Sequence, residues 1–405
     1  MRPPSGTFFN RVIVDVPFRL GVRVLNDARL PMRKFISPEI IFGSGSIELV
    51  GQHASNLSPR RVLVVSDAGV REAGWTGSVE ASLRNSGLDL STYDRASANP
   101  CVEDVVRGAR RYLDDACDLV VAVGGGSPID CAKAIGIMAA SGMDVRWFEG
   151  MDRVRVPGPP LICVLTTAGS SADVSPFAVI TDREGRKKMT IINRLLVPDL
   201  TVIDPATTVT MDADLTTYTG MDALAHAFES YISNASSPLT YLFALEAVKL
   251  IAENLPSARQ DPKDMGAREQ MMLASTYAGL AFSNAGLGPL HAMAHSIGGF
   301  HDAMYQQAAC ALLEHVIEFN HPCAEERYLR LEVAMFGSAR GKGPLIDLLG
   351  ELRRDLGADG GLESIGVRRG DIHRLSENAI HDPCLATNPR PAGRKDVEEL
   401  YERAM

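Results

Sequence analysis

The sequence predicts an α/β half with a parallel sheet, followed by an all-helical half. In the first half, short runs rich in valine and isoleucine alternate with stretches of helical length, which is typical of strands joined by helices. Beyond about residue 208 the strand pattern gives way to successive long amphipathic stretches. We therefore expect an N-terminal extension at 1–34, an α/β domain at 35–208 and a helical domain at 209–405.

The predicted strands are short and apolar, as expected of strands that are buried on both faces of a parallel sheet. They cover residues 61–66, 118–123, 161–165 and 200–203. Between them, helices are predicted at residues 74–86 and 101–114.

The second half carries six stretches in which apolar residues recur with helical spacing. They cover residues 222–234, 239–254, 266–282, 289–300, 308–320 and 324–335.

Composition excludes several classes of protein. The net charge of −9 over 405 residues argues against nucleic acid or an anionic membrane surface as the main partner. No apolar run reaches the 18 or so residues of a membrane span. Charged residues interrupt the first 30 residues, whereas a signal peptide would have a continuous apolar core there. Seven scattered cysteines without a Cys-x-x-Cys motif favour reduced thiols. We expect a cytoplasmic protein that acts on small molecules.

A glycine-rich loop follows the second predicted strand. The loop contains Gly125 and Gly126, and the residues after it fit a helix start, with Ser127 as N-cap and Pro128 at the first helical position. A helix N-terminus offers free N–H groups and a partial positive charge, which suit a pyrophosphate. The alternative is a plain strand–helix turn in which Ser127 and Asp130 form a capping box.

Two further loops follow predicted strands. Asp67 ends the first strand, where a carboxylate can accept hydrogen bonds from ribose hydroxyls and repel a 2′-phosphate, which favours NAD over NADP. The alternative is a helix-capping aspartate. Thr166, Thr167 and Ser170 belong to a small-residue loop that could wrap the other side of a nucleotide, or simply form a turn.

Two pairs of residues in the helical half have i,i+4 spacing: Asp222 with His226, and His291 with His295. Each pair therefore points from one face of a helix. Two such faces can hold a divalent cation with oxygen and nitrogen ligands, as Zn²⁺ or Fe²⁺ prefers. Glu229 lies three residues after His226 and could orient a ligand. The alternative is that these are structural or solvated histidines.

These residues carry a specific resemblance. From about Phe35 to Met405 the chain resembles the iron-containing, or group III, alcohol dehydrogenases. The landmarks occur in order at residues 38–46, 65–67, 99–100, 124–130, 133, 166–169, 180–182, 187–189, 198–199, 204–205, 220–229, 291–299 and 382–390.

The resemblance implies a dehydroquinate synthase-like fold, in which a nucleotide-binding α/β domain and a helical domain enclose the active site. It implies NAD-dependent interconversion of a small alcohol with its aldehyde or ketone, and a homodimer whose N-terminal segments pair. Asp222, His226 and His291 match three of four metal ligands, and His295 matches a proton-relay histidine. The residues that match cofactor-binding positions, or lie beside them in the same loops, are Asp67, Asn99, Gly125, Gly126, Ser127, Asp130, Thr166, Thr167, Ser170 and Lys188.

The chain departs from this family at the fourth ligand, where Tyr305 stands in place of the usual histidine. Smaller departures are Ala309, near a usual asparagine, and Asp173, near a frequent glutamate. Three interpretations of the ligand position stay open. Tyr305 ligates the metal as a phenolate, His301 replaces the missing ligand, or metal binds weakly or not at all and the phenol polarises the substrate carbonyl.

The leading functional hypothesis is hydride transfer between NAD(H) and a small alcohol or aldehyde. A metal held by Asp222, His226 and His291 would stabilise the developing alkoxide as a Lewis acid; without the metal, Tyr305 or His295 would donate the proton. One alternative is an NAD-dependent sugar-phosphate cyclase or lyase of the same fold. Another is a repurposed, metal-free protein that binds NAD without catalysis.

Overall fold

The computed structural model describes residues 34–301, 305–337 and 345–405. Phe35–Met405 forms one compact unit. The predicted N-terminal extension, and the idea that it pairs across a dimer, fall on residues 1–34 and so lie outside the described residues apart from Lys34.

The first half of the unit is built on a parallel sheet, as predicted. Its nine strands are β1 (Glu39–Phe42), β2 (Val62–Val65), β3 (Leu90–Tyr93), β4 (Leu119–Gly124), β5 (Gly150–Met151), β6 (Leu161–Leu165), β7 (Phe177–Asp182), β8 (Lys187–Ile192) and β9 (Leu200–Ile203). Six of them form an all-parallel sheet in the order β1-β9-β6-β4-β2-β3. The other three form a small sheet, β5-β8-β7, in which β7 and β8 are antiparallel.

Five helices accompany these strands: α1 (Val50–Asn56), α2 (Ala68–Glu72), α3 (Trp75–Asn85), α4 (Val102–Asp114) and α5 (Gly126–Ser141). They cover both faces of the large sheet, so alternate residues of one strand join different apolar clusters. Val62 and Val64 of β2 cluster with Val79 of α3, whereas Leu63 and Val65 belong to the cluster that contains α5. This burial on both faces is why the parallel strands carry apolar residues at consecutive positions.

The second half contains only helices among its described residues. They are α6 (Ala213–Ile232), α7 (Pro238–Gln260), α8 (Met265–Ala285), α9 (Pro289–His301), α10 (Tyr305–Phe336), α11 (Leu345–Asp355), α12 (Ile372–Ala379) and α13 (Arg394–Arg403). The two helices predicted at 308–320 and 324–335 are the halves of α10, whose backbone leaves helical geometry at Ala324. None of the described helices combines the length with the apolar composition that a membrane span needs.

The change from strands to helices occurs between the end of β9 at Ile203 and the start of α6 at Ala213. A 3-10 helix, Pro205–Thr210, connects the two. The predicted boundary at 208 lies within this connection. Since Phe35–Met405 is compact as a whole, the division into separate domains stays a prediction.

Candidate active site

A cavity of about 710 Å³ lies where the carboxyl ends of β2, β4 and β6 face the helical half. Ligands of open α/β folds bind at this edge of the sheet. The predicted site residues that line the cavity are Asp67, Asn99, Gly125, Gly126, Ser127, Asp130, Thr166, Thr167, Ser170, Lys188, His226, His295 and Tyr305. The other two, Asp222 and His291, are buried and hydrogen-bond or ion-pair with Tyr305 and with each other.

The helix that follows the glycine loop begins two residues earlier than predicted. Helix α5 begins at Gly126 with Gly125 as N-cap, and the Ser127 hydroxyl donates to the Ala98 carbonyl instead of capping the helix. The Asp130 carboxylate accepts from the Val179 amide of β7, at 3.1 Å. The predictions of a Ser127 N-cap and of a Ser127–Asp130 capping box are therefore wrong. The run of glycines, which tolerates backbone conformations closed to other residues, allows the earlier start.

The glycines of this loop have a steric purpose. Gly124 has φ +150°, and a Cβ there would lie 2.6 Å from Pro128 Cγ. A Cβ on Gly125 would lie 2.9 Å from Thr167 Oγ1, and one on Gly126 would lie 2.9 Å from Ser170 Oγ. The two predicted cofactor loops are thus packed against each other at the N-terminus of α5, where an added Cβ would force Thr167 or Ser170 to shift.

Asp67 caps a helix and also lines the cavity. It is the N-cap of α2, and its Oδ1 accepts from the Val70 amide at 2.8 Å. Burial raises the pKa of its carboxyl above the usual value. The carboxylate also lines the cavity. Asp67 follows β2, the glycine loop follows β4 and the 166–170 loop follows β6, so the glycine loop lies between the other two.

Asp222, His226 and His291 come together as predicted from the two spacings. Their ligand atoms all lie within 4.8 Å of one another. Asp222 and His226 are on α6 and His291 is on α9. Asp222 Oδ1 lies 3.6 Å from His291 Nε2, and the two imidazole rings stack with centroids 4.3 Å apart.

The polar atoms of this cluster are suited to a cation. Asp222 Oδ1, His226 Nδ1 and His291 Nε2 are fully buried and have no hydrogen-bond partner within the described part of the chain. Each buried unpaired polar group costs roughly 1–3 kcal/mol. One carboxylate and two imidazoles are ligands that Zn²⁺ or Fe²⁺ accepts, so these residues fit a divalent metal.

Glu229 fixes the orientation of His291. Its Oε2 lies 2.7 Å from His291 Nδ1, and the carboxylate also accepts from the amides of Gly288 and Leu290 at 2.8 Å. Burial alone lowers the pKa of His291, but the neighbouring carboxylates of Asp222 and Glu229 outweigh burial and raise it to about 9. Burial lowers the pKa of His226 to about 3. The imidazoles of His226 and His291 therefore differ strongly in pKa.

Tyr305, at the start of α10, contacts the cluster through Asp222. Its hydroxyl donates to Asp222 Oδ2 at 2.7 Å. Burial, followed by the charge of Asp222, raises the pKa of the phenol well above its usual value. Lys188 Nζ lies 4.9 Å from the centroid of the Tyr305 ring. His301, the other predicted substitute, pairs instead with Asp371 at 3.2 Å, so the structure does not bring His301 to the cluster.

Asp382 is a site residue that the sequence indicated only as part of a family landmark. Its Oδ2 lies 2.9 Å from His295 Nδ1. Burial alone raises the pKa of Asp382, but the neighbouring His295 outweighs it and lowers the pKa to about 2. The apolar lining formed by Trp75, Met211, Phe282 and Leu287 was also missed, because nothing distinguishes these residues from core residues in the sequence.

Comparison with known proteins decides the family. The family model "Iron-containing alcohol dehydrogenase" matches residues 37–205, and the model "Fe-containing alcohol dehydrogenase family, C-terminal" matches residues 216–405. The chain belongs to the iron-containing alcohol dehydrogenase family. The resemblance inferred from the sequence is thereby confirmed.

Relatives in the iron-containing alcohol dehydrogenase family align over nearly their whole length. The NAD-dependent methanol dehydrogenase of Bacillus methanolicus is 34% identical over 92% of this chain and 99% of its own length. Lactaldehyde reductase of Escherichia coli strain K12 is 33% identical, with the same two shares. The crystal structure of a 1,3-propanediol oxidoreductase matches with a TM-score of 0.88 at 33% identity, covering 92% of this chain and 100% of that one. These matches confirm the predicted fold class and show that the chain is an enzyme of the alcohol dehydrogenase type.

Proposed function

We propose that this enzyme uses NAD(H) to interconvert a small alcohol and its aldehyde or ketone. We propose further that Asp222, His226 and His291 hold a divalent metal, Fe²⁺ or Zn²⁺. The observation that carries the proposal is the convergence of three buried side chains, one carboxylate and two imidazoles, beside a cavity that is also lined by a glycine-rich helix N-terminus. The relatives named for methanol, propanediol and lactaldehyde all act on small alcohols or aldehydes.

The cofactor residues divide by chemistry. The N-terminus of α5, with Gly125 and Gly126, suits the pyrophosphate, and Asp67 suits the ribose hydroxyls. A carboxylate at Asp67 also disfavours a 2′-phosphate, which supports NAD(H) over NADP(H). Asn99, Thr166 and Lys188 line the remaining walls of the same cavity. When bound there, the nicotinamide accepts or donates the hydride.

The metal cluster has an altered composition, because Tyr305 holds the position of the usual fourth ligand. The Tyr305 hydroxyl donates to Asp222 Oδ2 and leaves Oδ1 directed at His291. Three protein ligands with an open fourth position characterise catalytic zinc sites. We therefore propose that Tyr305 supports Asp222 rather than completing the ligand set. A metal held by the three residues supplies a Lewis acid for the substrate oxygen.

Two groups in the cavity could move the substrate proton, His295 and Tyr305. The raised pKa of Tyr305 keeps its phenol protonated, and its proton is already donated to Asp222. His295 lines the cavity and uses only Nδ1 to contact Asp382, which leaves Nε2 to exchange a proton with substrate. His295 is therefore the better proton-transfer group.

The test is oxidation of NADH with a panel of small aldehydes, together with metal content by inductively coupled plasma mass spectrometry after incubation with Fe²⁺ or Zn²⁺ without oxygen. We expect turnover and close to one metal per chain, with both lost in Asp222→Ala. Absence of turnover with every metal and aldehyde would reject the dehydrogenase and favour a protein that binds NAD without catalysis.

We also propose that the enzyme is a cytoplasmic homodimer, as the resemblance implies. Light scattering after size-exclusion chromatography should give twice the mass of the 43.6 kDa chain. A monomeric mass would overturn the proposed dimer without affecting the proposed chemistry.

A further inference from the structure

We infer that Asp382 is a positioning residue that fixes the tautomer and the orientation of His295 for proton transfer. This inference rests on the proposed function and adds to it a residue from the C-terminal part of the chain.

The Asp382 carboxylate is held by donors from three separate elements. His295 Nδ1, on α9, lies 2.9 Å from Oδ2, and the Thr190 hydroxyl, on β8, donates to the same oxygen at 3.2 Å. The Cys384 amide, in the 3-10 helix Pro383–Thr387, donates to Oδ1 at 2.8 Å. Asp382 is only 7% exposed. A buried carboxylate fixed from three sides cannot follow a rotating imidazole, so it confines the ring instead.

This contact determines which nitrogen of His295 carries the proton. A carboxylate is an acceptor only, so Nδ1 must be the protonated nitrogen of the neutral ring. Nε2 is then left with its lone pair and can accept a proton from a substrate in the cavity. A carboxylate that holds a histidine in this way also stabilises the imidazolium that forms.

The atoms balance for alcohol oxidation. The alcohol O–H bond breaks and the proton moves to His295 Nε2. The hydride leaves the carbinol carbon for NAD⁺, which is reduced to NADH while the alcohol is oxidised to the carbonyl compound. Reduction of an aldehyde follows the reverse course, with His295 returning the proton to oxygen.

Helix α9 contains a second contact of the same type, which serves the metal cluster. His291 lies one helical turn before His295, and its Nδ1 is 2.7 Å from the carboxylate of Glu229. Replacing Glu229 should weaken metal binding, whereas replacing Asp382 should leave metal content unchanged. The two carboxylates therefore form a matched pair with distinguishable consequences.

An alternative for this group is a second metal site, because His295, Asp382 and Cys384 offer ligand atoms within 4.8 Å of one another. The hydrogen bonds decide against it. Both Asp382 oxygens already accept from donors, and neither His295 nor Asp382 has a buried nitrogen or oxygen without a hydrogen-bond partner among the described residues. The group is satisfied internally, whereas the Asp222 cluster is not.

The kinetic test compares Asp382→Asn with Glu229→Gln. For Asp382→Asn we expect kcat for alcohol oxidation to fall roughly 10²- to 10⁴-fold, with KM for NAD within about threefold of the wild type and metal content unchanged. For Glu229→Gln we expect metal affinity to fall roughly 10- to 100-fold. In a His295→Gln background, Asp382→Asn should cause no further loss, since the two residues act as a unit. Additive losses, or an unchanged kcat, would overturn the inference.

A spectroscopic readout separates this inference from the proposed function. In protein with ¹⁵N-labelled histidine, the His295 resonances, assigned by their loss in His295→Gln, should show the Nδ1–H tautomer. Asp382→Asn should change that tautomer, and Thr190→Val, a milder variant that preserves the charge, should retain it. If the wild type lacks turnover but shows this tautomer, the proposed function fails, while the finding that Asp382 fixes the tautomer of His295 stands. An Nε2–H tautomer in the wild type would overturn the positioning role even in an active enzyme.

Discussion

Tyr305 is the residue that most distinguishes this chain from what its resemblance implies. A histidine at this position would offer a ring nitrogen to a metal, whereas the phenol offers its proton to Asp222. Because the pKa of the phenol is raised far above neutrality, a phenolate ligand would require the metal itself to displace that proton. The hydrogen bond therefore favours a three-ligand site.

Tyr305→His should restore a four-ligand set. We expect metal affinity to rise roughly 10- to 100-fold, which is the change that residues hydrogen-bonded to metal ligands already produce. The measurement is metal per chain after dialysis against graded chelator. Tyr305→Phe is the matched control, because it removes the hydroxyl and offers no new ligand. Equal retention in Tyr305→His and Tyr305→Phe would contradict a metal at this cluster.

Asp67 decides the choice of cofactor in the proposed function. Asp67→Ser removes the charge but keeps a side chain that can cap α2, so stability should change little. We expect kcat/KM with NADPH to rise about tenfold, because a 2′-phosphate no longer meets a carboxylate. Steady-state kinetics with both cofactors measure this. Loss of NADH activity without any gain for NADPH would show that Asp67 only caps the helix.

At the scale of elements, Lys133 joins helix α5 to the chain segment after β6. It is fully buried, and its ammonium group donates to the carbonyls of Ala172, Ser175 and Phe177 at 2.5–2.7 Å. Burial lowers its pKa, opposed chiefly by the charge of Asp130. This lysine ties the glycine-loop helix to the strand β7 that accompanies it.

Lys133→Met should destabilise the protein by about 3–5 kcal/mol, since three buried carbonyls lose their donor. Urea unfolding followed by circular dichroism measures the change. Ser141→Ala on the same helix is the control, because the Ser141 hydroxyl donates mainly to Ile137 O within its own helix, and it should cost under about 0.5 kcal/mol. Similar losses in both variants would mean that the carbonyl contacts contribute little.

The elements that the sequence predicted are those whose patterns are local. Buried strands such as β4 are apolar along their whole length and were found. The predicted strands do not include β8, because Lys187, Lys188 and Thr190 give it a polar pattern that is typical of an exposed segment. The start of α5 was misplaced by two residues because consecutive glycines carry no side-chain signal for the N-cap.

The same distinction holds within the active site. The glycine loop and the i,i+4 histidine pairs are local, so spacing and resemblance were sufficient to propose them. The contact between His295 and Asp382 joins residues 87 positions apart, and no periodicity in the sequence links them. The sequence alone places Tyr305 where the resemblance implies a histidine, but the hydrogen bond from Tyr305 to Asp222 depends on the packing of α6 against α10.

At the scale of the whole molecule, Phe35–Met405 is one compact unit, and residues of both halves line the cavity. We expect a single thermal unfolding transition. NADH at 100 times its Kd should stabilise the fold by about 2.7 kcal/mol, which raises the midpoint by several degrees. Differential scanning calorimetry measures both. Two transitions, of which NADH moves only one, would mean that the halves unfold independently and would support the predicted boundary near residue 208.

The burial of the ligand cluster has a consequence for the rate of metal exchange. Asp222 is inaccessible and His291 nearly so, and His226 is the one member of the cluster that borders the cavity. An ion that reaches the cluster from the cavity passes His226, in the space that we propose for the dinucleotide. Bound cofactor would then block this route and slow metal exchange, so the metal content of a preparation should depend on whether NADH was present during purification.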